Sequence, residues 1–384
     1  MRLKNNLHLA YCTNIHRGDD WPETQASLEK YTLAVKERVC PGRLYAIGLR
    51  LSDLASRQLS EPRTLDAFRR WLHQHQCYVF TINGFPFGQF HGAKVKERVY
   101  LPDWTHPERL AYTNRLFDLL AQLLPEGVEG SVSTLPGSFK EFIITGEQKT
   151  RIRGQLWRCL DHIEQCSVLH GRRLHLGVEP EPLGLWETSA ETLRFFQEME
   201  ADRPGDSRLR TLLGVNYDTC HMAVEYEKPA DVVTALQKEG VRISKIHLSS
   251  ALQIVPDKVG REWLRRFADD TYLHQVVAQT MDGTLRRDKD LDVALDQPPG
   301  DDEWRIHFHV PLHATNLAHG KTTTPHLLGL LDLLARQPGL CSHLEMETYT
   351  WEVLPEELRA KSVVDQLVRE YEWCLNQLAQ RGLN

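Results

Sequence analysis

The chain has no Cys-x-x-Cys pair, no long apolar run and no excess of basic charge, and each absence removes a class of function. Its eight cysteines are scattered singly, and Cys12, Cys77 and Cys159 fall in periodic segments rather than loops. That usage reads as reduced thiols in a cytoplasmic protein. No window reaches the apolar length needed to cross a bilayer, so membrane insertion is not expected. The start, Met1-Arg2-Leu3-Lys4-Asn5-Asn6, leads into only a short apolar run without a signal-peptide core. A formal net charge of −6 gives no global field toward nucleic acid or anionic lipid. A Gly-x-Gly-x-x-Gly fingerprint is also missing, which counts against an open dinucleotide-binding sheet. Internal repeats and low-complexity tracts are missing too.

What is present is alternation. The 384 residues suffice for a large core. Strand-like runs are expected at residues 7–16, 44–51, 78–83, 128–135, 174–181, 211–218, 242–248 and 343–347, with helix-like runs between them. Eight strand–helix units in sequence indicate an α/β fold, a parallel (β/α)8 barrel. An open doubly wound sheet is the other arrangement this pattern allows. One domain spanning 1–384 is expected, with 249–323 as a long insertion after strand 7 that folds over the C-terminal mouth. Within the insertion, the alternation of Arg305-Ile306-His307-Phe308-His309-Val310 reads as an extra strand.

The second notable feature is eighteen histidines. Barrel enzymes place chemistry at the C-terminal ends of their strands. Reading those ends gives His16, Asn83, Glu179 with Glu181, Asp218 with His221, His247, and Glu345 with Glu347; His307 and His309 lie on the inserted run. A carboxylate aimed into a packed interior is costly unless paired or coordinated. So many converging carboxylates and histidines are accounted for most simply by a cation. Asp218 and His221, three residues apart at a strand exit, offer it hard oxygen and borderline nitrogen together. The blander reading makes Asp218 a cap and His221 a satisfied histidine. Both members of each glutamate pair face inward, so spacing alone does not choose between them. Arg50, Lys94 and Lys96 are a weaker pattern that would suit an anionic substrate. Trp263, Trp304 and Trp351 read as loop packing.

Glu179, Asp218-Thr219-Cys220-His221, Lys245-Ile246-His247-Leu248 and Leu344-Glu345 resemble the metal-ligand runs of the xylose isomerase-like barrel superfamily, which includes sugar epimerases, inosose-type isomerases and dehydratases, and endonuclease IV. That resemblance implies a divalent ion on Glu179, Asp218, His247 and Glu345. His221 and His309 match additional ligands of the multi-metal, endonuclease-type variant. Ser249-Ser250 after the Ile-His-Leu run departs from the endonuclease pattern, as does the acidic net charge.

A resemblance over nearly the whole chain is to the EboE metabolite-traffic family. It is carried by Tyr11-Cys12-Thr13-Asn14-Ile15-His16, Asn83-Gly84-Phe85-Pro86, Ser133-Thr134-Leu135-Pro136-Gly137 and Val178-Glu179-Pro180-Glu181-Pro182. His307-Phe308-His309-Val310-Pro311-Leu312 and Glu345-Met346-Glu347-Thr348-Tyr349-Thr350-Trp351 add to it. It implies a sugar-isomerase-like barrel tied to a gene cluster that exports a metabolite precursor, with other proteins of that cluster as partners.

The expected activity is therefore a metal-dependent isomerase or epimerase acting on a small polyol or sugar-like metabolite. Glu179 and Glu345 would serve as acid and base, and Mn²⁺, Mg²⁺, Co²⁺ or Zn²⁺ as the ion. His16, Asn83, Glu181, His307 and Glu347 are the expected substrate contacts. The alternatives are a metal-dependent phosphoester hydrolase and a non-catalytic metabolite-binding barrel.

Overall fold

The computed structural model describes residues 1–92, 94–300 and 302–384. Eight parallel strands form one sheet: β1 (His8–Tyr11), β2 (Tyr45–Arg50), β3 (Cys77–Asn83), β4 (Gly130–Thr134), β5 (Leu174–Val178), β6 (Leu213–Asp218), β7 (Arg242–Leu248) and, after the insertion, β14 (His343–Met346). The order β1-β14-β7-β6-β5-β4-β3-β2 closes through an isolated parallel bridge between Cys12 and Gly48. The result is a nearly closed (β/α)8 barrel, with helices joining its strands. Asp301, in the insertion, lies outside the described residues.

Local chemistry sets the helix boundaries. Capping boxes start the helices Gly146–His170 (Thr145 with Gln148) and Ser189–Asp202 (Thr188 with Glu191), and Gly171, at φ 61°, ends the first. The run after residue 21 is helical to Val39 but passes through a π turn at Leu28–Thr32. The helices Asp53–Leu59 and Thr219–Val224 were not expected from the sequence; the second is capped by Asp218, whose Oδ1 accepts from the backbone of Cys220 and His221. Among the described residues no helix is long and apolar enough to cross a membrane.

The first strand is shorter than its alternation suggests. It ends at Tyr11, and Thr13–Ile15 make a 3-10 turn that breaks the in–out pattern before His16. In β7 a register shift opposite Val215 and Asn216 leaves Ser244 as an extra residue. That bulge lets Ile243 join the apolar core while Lys245 and His247 both reach into the barrel. In register, Asp218, His247, Glu345 and Ala10 then form one row across four strands.

The insertion holds more structure than one strand. β8 (Leu252–Ile254), β9 (Val276–Gln279), β10 (Leu285–Asp288), β11 (Glu303–Ile306), β12 (Asn316–Leu317) and β13 (Gly320–Thr322) build an antiparallel sheet. Its own core includes Trp263, Phe267, Trp304, Ile306 and Phe308, so these tryptophans pack as expected. β11 stops at Ile306, and His307 and His309 therefore lie past its end rather than on it.

Candidate metal centre

Asp218 has two jobs. Its Oδ1 caps the following helix and accepts from Ser249 Oγ at 2.7 Å, while Oδ2 is buried without a hydrogen-bond partner. Both sequence readings of Asp218 are thus compatible, because each uses a different oxygen.

His247 explains where the free oxygen points. Three carboxylate oxygens face its Nδ1: Glu347 Oε2 at 3.0 Å, Glu179 Oε1 at 3.1 Å and Asp218 Oδ2 at 3.5 Å. An imidazole nitrogen carries at most one proton, so it can satisfy one of the three. All four side chains are buried, and their ligand atoms lie within 4.8 Å of one another. On the other side of the ring, Nε2 faces Glu345 Oε2 at 2.9 Å. That carboxylate is held in turn by Lys245 Nζ at 2.5 Å, and Lys245 with His247 holds its pKa down near about 2 against the opposing effect of burial. With Nε2–H donating to Glu345, the Nδ1 lone pair points into the same space as the three carboxylates. A divalent cation fits that donor set, and Glu345 fixes the ring's tautomer and orientation. Burial opposes a charged ring here, but Glu347, Glu179 and Asp218 raise the His247 pKa well above its ordinary value.

A second group lies beside the first. His307 Nε2 stands 3.0 Å from His221 Nε2 and 3.2 Å from His309 Nε2. Each ring's Nδ1 faces a carbonyl oxygen: Pro180 at 3.1 Å for His221, the Gln275 side chain at 2.7 Å for His307, and Glu347 at 2.8 Å for His309. Three Nδ1–H donors leave three bare Nε2 lone pairs converging, which is repulsive until a cation or proton enters. Burial, then the neighbouring histidines, hold His307 well below its ordinary pKa. Asp218 completes one triad with His221 and His309, and Glu181 another with His221 and His307.

Glu179, Glu181, His221, His307, Glu347, Asn14 and Asn83 line one small cleft of about 50 Å³. Asn83 and Asn14 donate to Glu347 Oε1 at 2.9 and 2.8 Å, so this carboxylate is anchored by one oxygen and free at the other. Asn216 does the same for Glu179, donating to Oε2 at 2.6 Å. Burial, with Glu179 and Asp218 adding and His221 opposing, pushes Glu181 up to about 8.

Not every expected residue comes to this place. His16 lies elsewhere: Tyr11 Oη is 2.9 Å from its Nε2 and its ring stacks on Tyr31 with centroids 4.6 Å apart, because the chain turned at Thr13. Glu345 sits deeper than its partner, bound to Lys245, and does not join the clustered donors; Glu347 takes that place. Arg50 is buried and donates to the carbonyls of Gly18 and Gly88, and Lys94 is exposed, so neither serves an anion in the cleft. Asn14, Asn216, Lys245 and Gln275 were missed from the sequence. Asn216 and Lys245 each precede a candidate ligand by two residues on the same strand, which was the available signal.

No protein-family model matches the sequence, and no curated protein is similar to it in sequence. Solved structures do share the fold. An IolI protein with a bound zinc atom is 13% identical, with 98% of this chain and 99% of that chain covered and a TM-score of 0.51. D-psicose 3-epimerase with D-tagatose from Clostridium cellulolyticum H10 is 11% identical over 96% and 97%, with a TM-score of 0.52. An L-ribulose 3-epimerase is 12% identical over 99% and 96%, with a TM-score of 0.50. At these identities the likeness is one of fold alone: the chain shares the (β/α)8 barrel of these proteins.

Proposed function

We propose that the chain is a divalent-metal-dependent isomerase or epimerase that moves a proton at a carbon beside a carbonyl in a small oxygenated metabolite. The observation that carries this reading is the convergence of Glu179, Asp218 and Glu347 on Nδ1 of His247 at the base of a cleft. A metal ion held by these four residues would supply Lewis-acid polarisation of substrate oxygens. Glu179 and Glu347 reach the cleft from non-adjacent strands, β5 and β14, and each has one oxygen anchored by an amide. One takes the proton and the other returns one on the opposite face. Glu347 here replaces Glu345, whose part is to orient His247. The zinc-bearing and sugar-epimerising neighbours support the same class. The carboxylate-rich set suits Mn²⁺, Mg²⁺ or Co²⁺, and the imidazole set suits Zn²⁺.

The test is exchange. Metal-loaded protein incubated in D₂O with a panel of ketoses and hydroxyketones should place deuterium on the carbon beside the carbonyl. Glu179→Gln and Glu347→Gln should each stop that exchange; exchange surviving in both variants would sink the assignment.

The histidine group favours a second reading, metal-assisted phosphoester hydrolysis with two ions. Elemental analysis of wild type and His221→Ala measures the stoichiometry, and only phosphoester turnover by a two-ion protein would move the assignment there. The resemblance to the EboE family adds the proposal that the metabolite is a precursor handed to proteins of an export cluster. Eight free, buried cysteines suit a reducing cytoplasm for that step.

A further inference from the structure

Above the carboxylates the walls of the cleft turn apolar. Phe90, Tyr272 and Tyr349 pack as a triangle, each pair of ring centroids 5.2 Å apart. Phe85, Val99 and Leu273 continue the wall. The Tyr272 hydroxyl is already engaged, 2.6 Å from His91 Nδ1, so what this residue has left to offer a ligand is ring carbon.

Three parts of the chain build the wall, Tyr349 coming from the turn after β14. Phe85, Phe90 and Val99 come from the connection after β3, and Tyr272 and Leu273 from the insertion. The backbone N–H groups of Val95 and Lys96 both donate to the Thr271 carbonyl at 2.9 Å and tie the connection to the insertion. Lys96 is the one lysine or arginine among the described lining residues. Its ammonium lies 2.5 Å from Asp290 Oδ2 and 2.7 Å from the Asp269 carbonyl, so it is already neutralised. A phosphate would find no free cationic side chain on this wall. A bare polyol would bury hydroxyls against carbon with their hydrogen bonds unmet, whereas an apolar body gains from the same surface.

We infer that the substrate is unphosphorylated and carries a compact apolar group, at most a single ring, against Phe90, Tyr272 and Tyr349, beside the oxygens that face the carboxylates. Only the placement of those oxygens rests on the reading given under Proposed function.

Acetohydroxamate and benzohydroxamate share a metal-binding head and differ by a ring, so titrating both into the metal-loaded protein isolates the wall. Benzohydroxamate should bind about tenfold tighter or more. Tyr272→Ala and the milder Phe90→Leu should remove most of that advantage and leave acetohydroxamate unchanged. Equal affinities, an advantage that survives both variants, or no binding of either probe by a protein that holds its metal would each overturn the inference. A chain that takes up no metal would instead sink the metal centre alone. Benzyl alcohol, which needs no metal, then decides the wall: saturation transfer to its ring, lost in Tyr272→Ala, supports it, and none from wild type overturns it.

Discussion

The two ends of the barrel interior use the same side chain in opposite ways. Near the N-terminal end, His8, His175 and His343 are buried and held below their ordinary pKa, with burial the main cause and positive neighbours next; His8 falls to about 4. Each has one ring nitrogen bonded to a hydroxyl: Tyr78 at 2.7 Å, Ser244 at 2.5 Å and Ser131 at 2.8 Å. At the C-terminal end burial holds His307 and His309 down in the same way, yet carboxylates raise the equally buried His221 and His247 above their ordinary pKa against the effect of burial. Burial alone therefore does not make a site. One end ties one nitrogen of each ring to a neutral hydroxyl, and the other leaves lone pairs and carboxylates pointed at a common space.

The largest effect should come from removing a donor at the C-terminal end. Asp218→Asn keeps the volume and an oxygen for the helix cap, and His247→Ala deletes the central ring. Each should weaken metal affinity by about a hundredfold or more while the far-ultraviolet spectrum stays that of a folded barrel. Wild-type metal content in both variants would erase the distinction between the two ends.

Next is the support beneath the ring. Lys245→Met leaves Glu345 buried without its cation, a change that should cost about 3–5 kcal/mol in denaturant unfolding. Glu345→Gln should weaken metal binding about 10–100-fold without abolishing it, because the ring loses its orienting partner rather than a donor. Gly48→Ala tests the same contact sterically: an added Cβ would stand 2.9 Å from Glu345 Cδ and 2.7 Å from the Tyr11 carbonyl. It should lower metal affinity in the same direction as Glu345→Gln.

A buried carboxylate with no cation near it shows what the histidines do for the others. Glu370 accepts from Thr348 Oγ1 at 2.7 Å and Gln366 Nε2 at 2.9 Å, and burial still pushes it from 4.5 to about 7. The folded state thus holds this proton more tightly than the unfolded chain. Stability contributed by the protonated group is present below about pH 4.5 and is lost as pH rises through about 7, by up to about 3 kcal/mol. Glu370→Gln should flatten the stability profile across that window. An unchanged profile would mean Glu370 titrates normally.

Much of this was legible in the sequence. The barrel could be read because each strand is apolar toward its helices and punctuated by Gly or Pro; for β7 both expected ends, Arg242 and Leu248, match. Misreadings arose where alternation continued past the strand. The pattern through His16 ignored the turn at Thr13, and that through His309 ignored the end of β11. Glu345 and Glu347 could not be separated by parity alone. What separates them is a neighbour, Lys245, that only the β7 bulge turns inward, and a strand end at Met346 that frees Glu347 for the cleft. The antiparallel sheet of the insertion was hidden by strands of two to four residues, several of them rich in charge.

The smallest expected effect sharpens the comparison most. His343 Nδ1 lies 2.8 Å from Ser131 Oγ, which also lies 2.8 Å from Thr81 Oγ1, and its Nε2 has no partner. Replacing this ring by leucine leaves Ser131 with Thr81 and strands no charge, so His343→Leu should change unfolding stability by only about 1 kcal/mol. Metal stoichiometry should stay at the wild-type value. His309→Leu, the same exchange at the other end, removes one of three converging nitrogens and should reduce bound zinc. If both substitutions lowered metal content alike, the loss would report a general loosening of the barrel. If only His309→Leu does, metal binding belongs to the end where carboxylates and lone pairs converge.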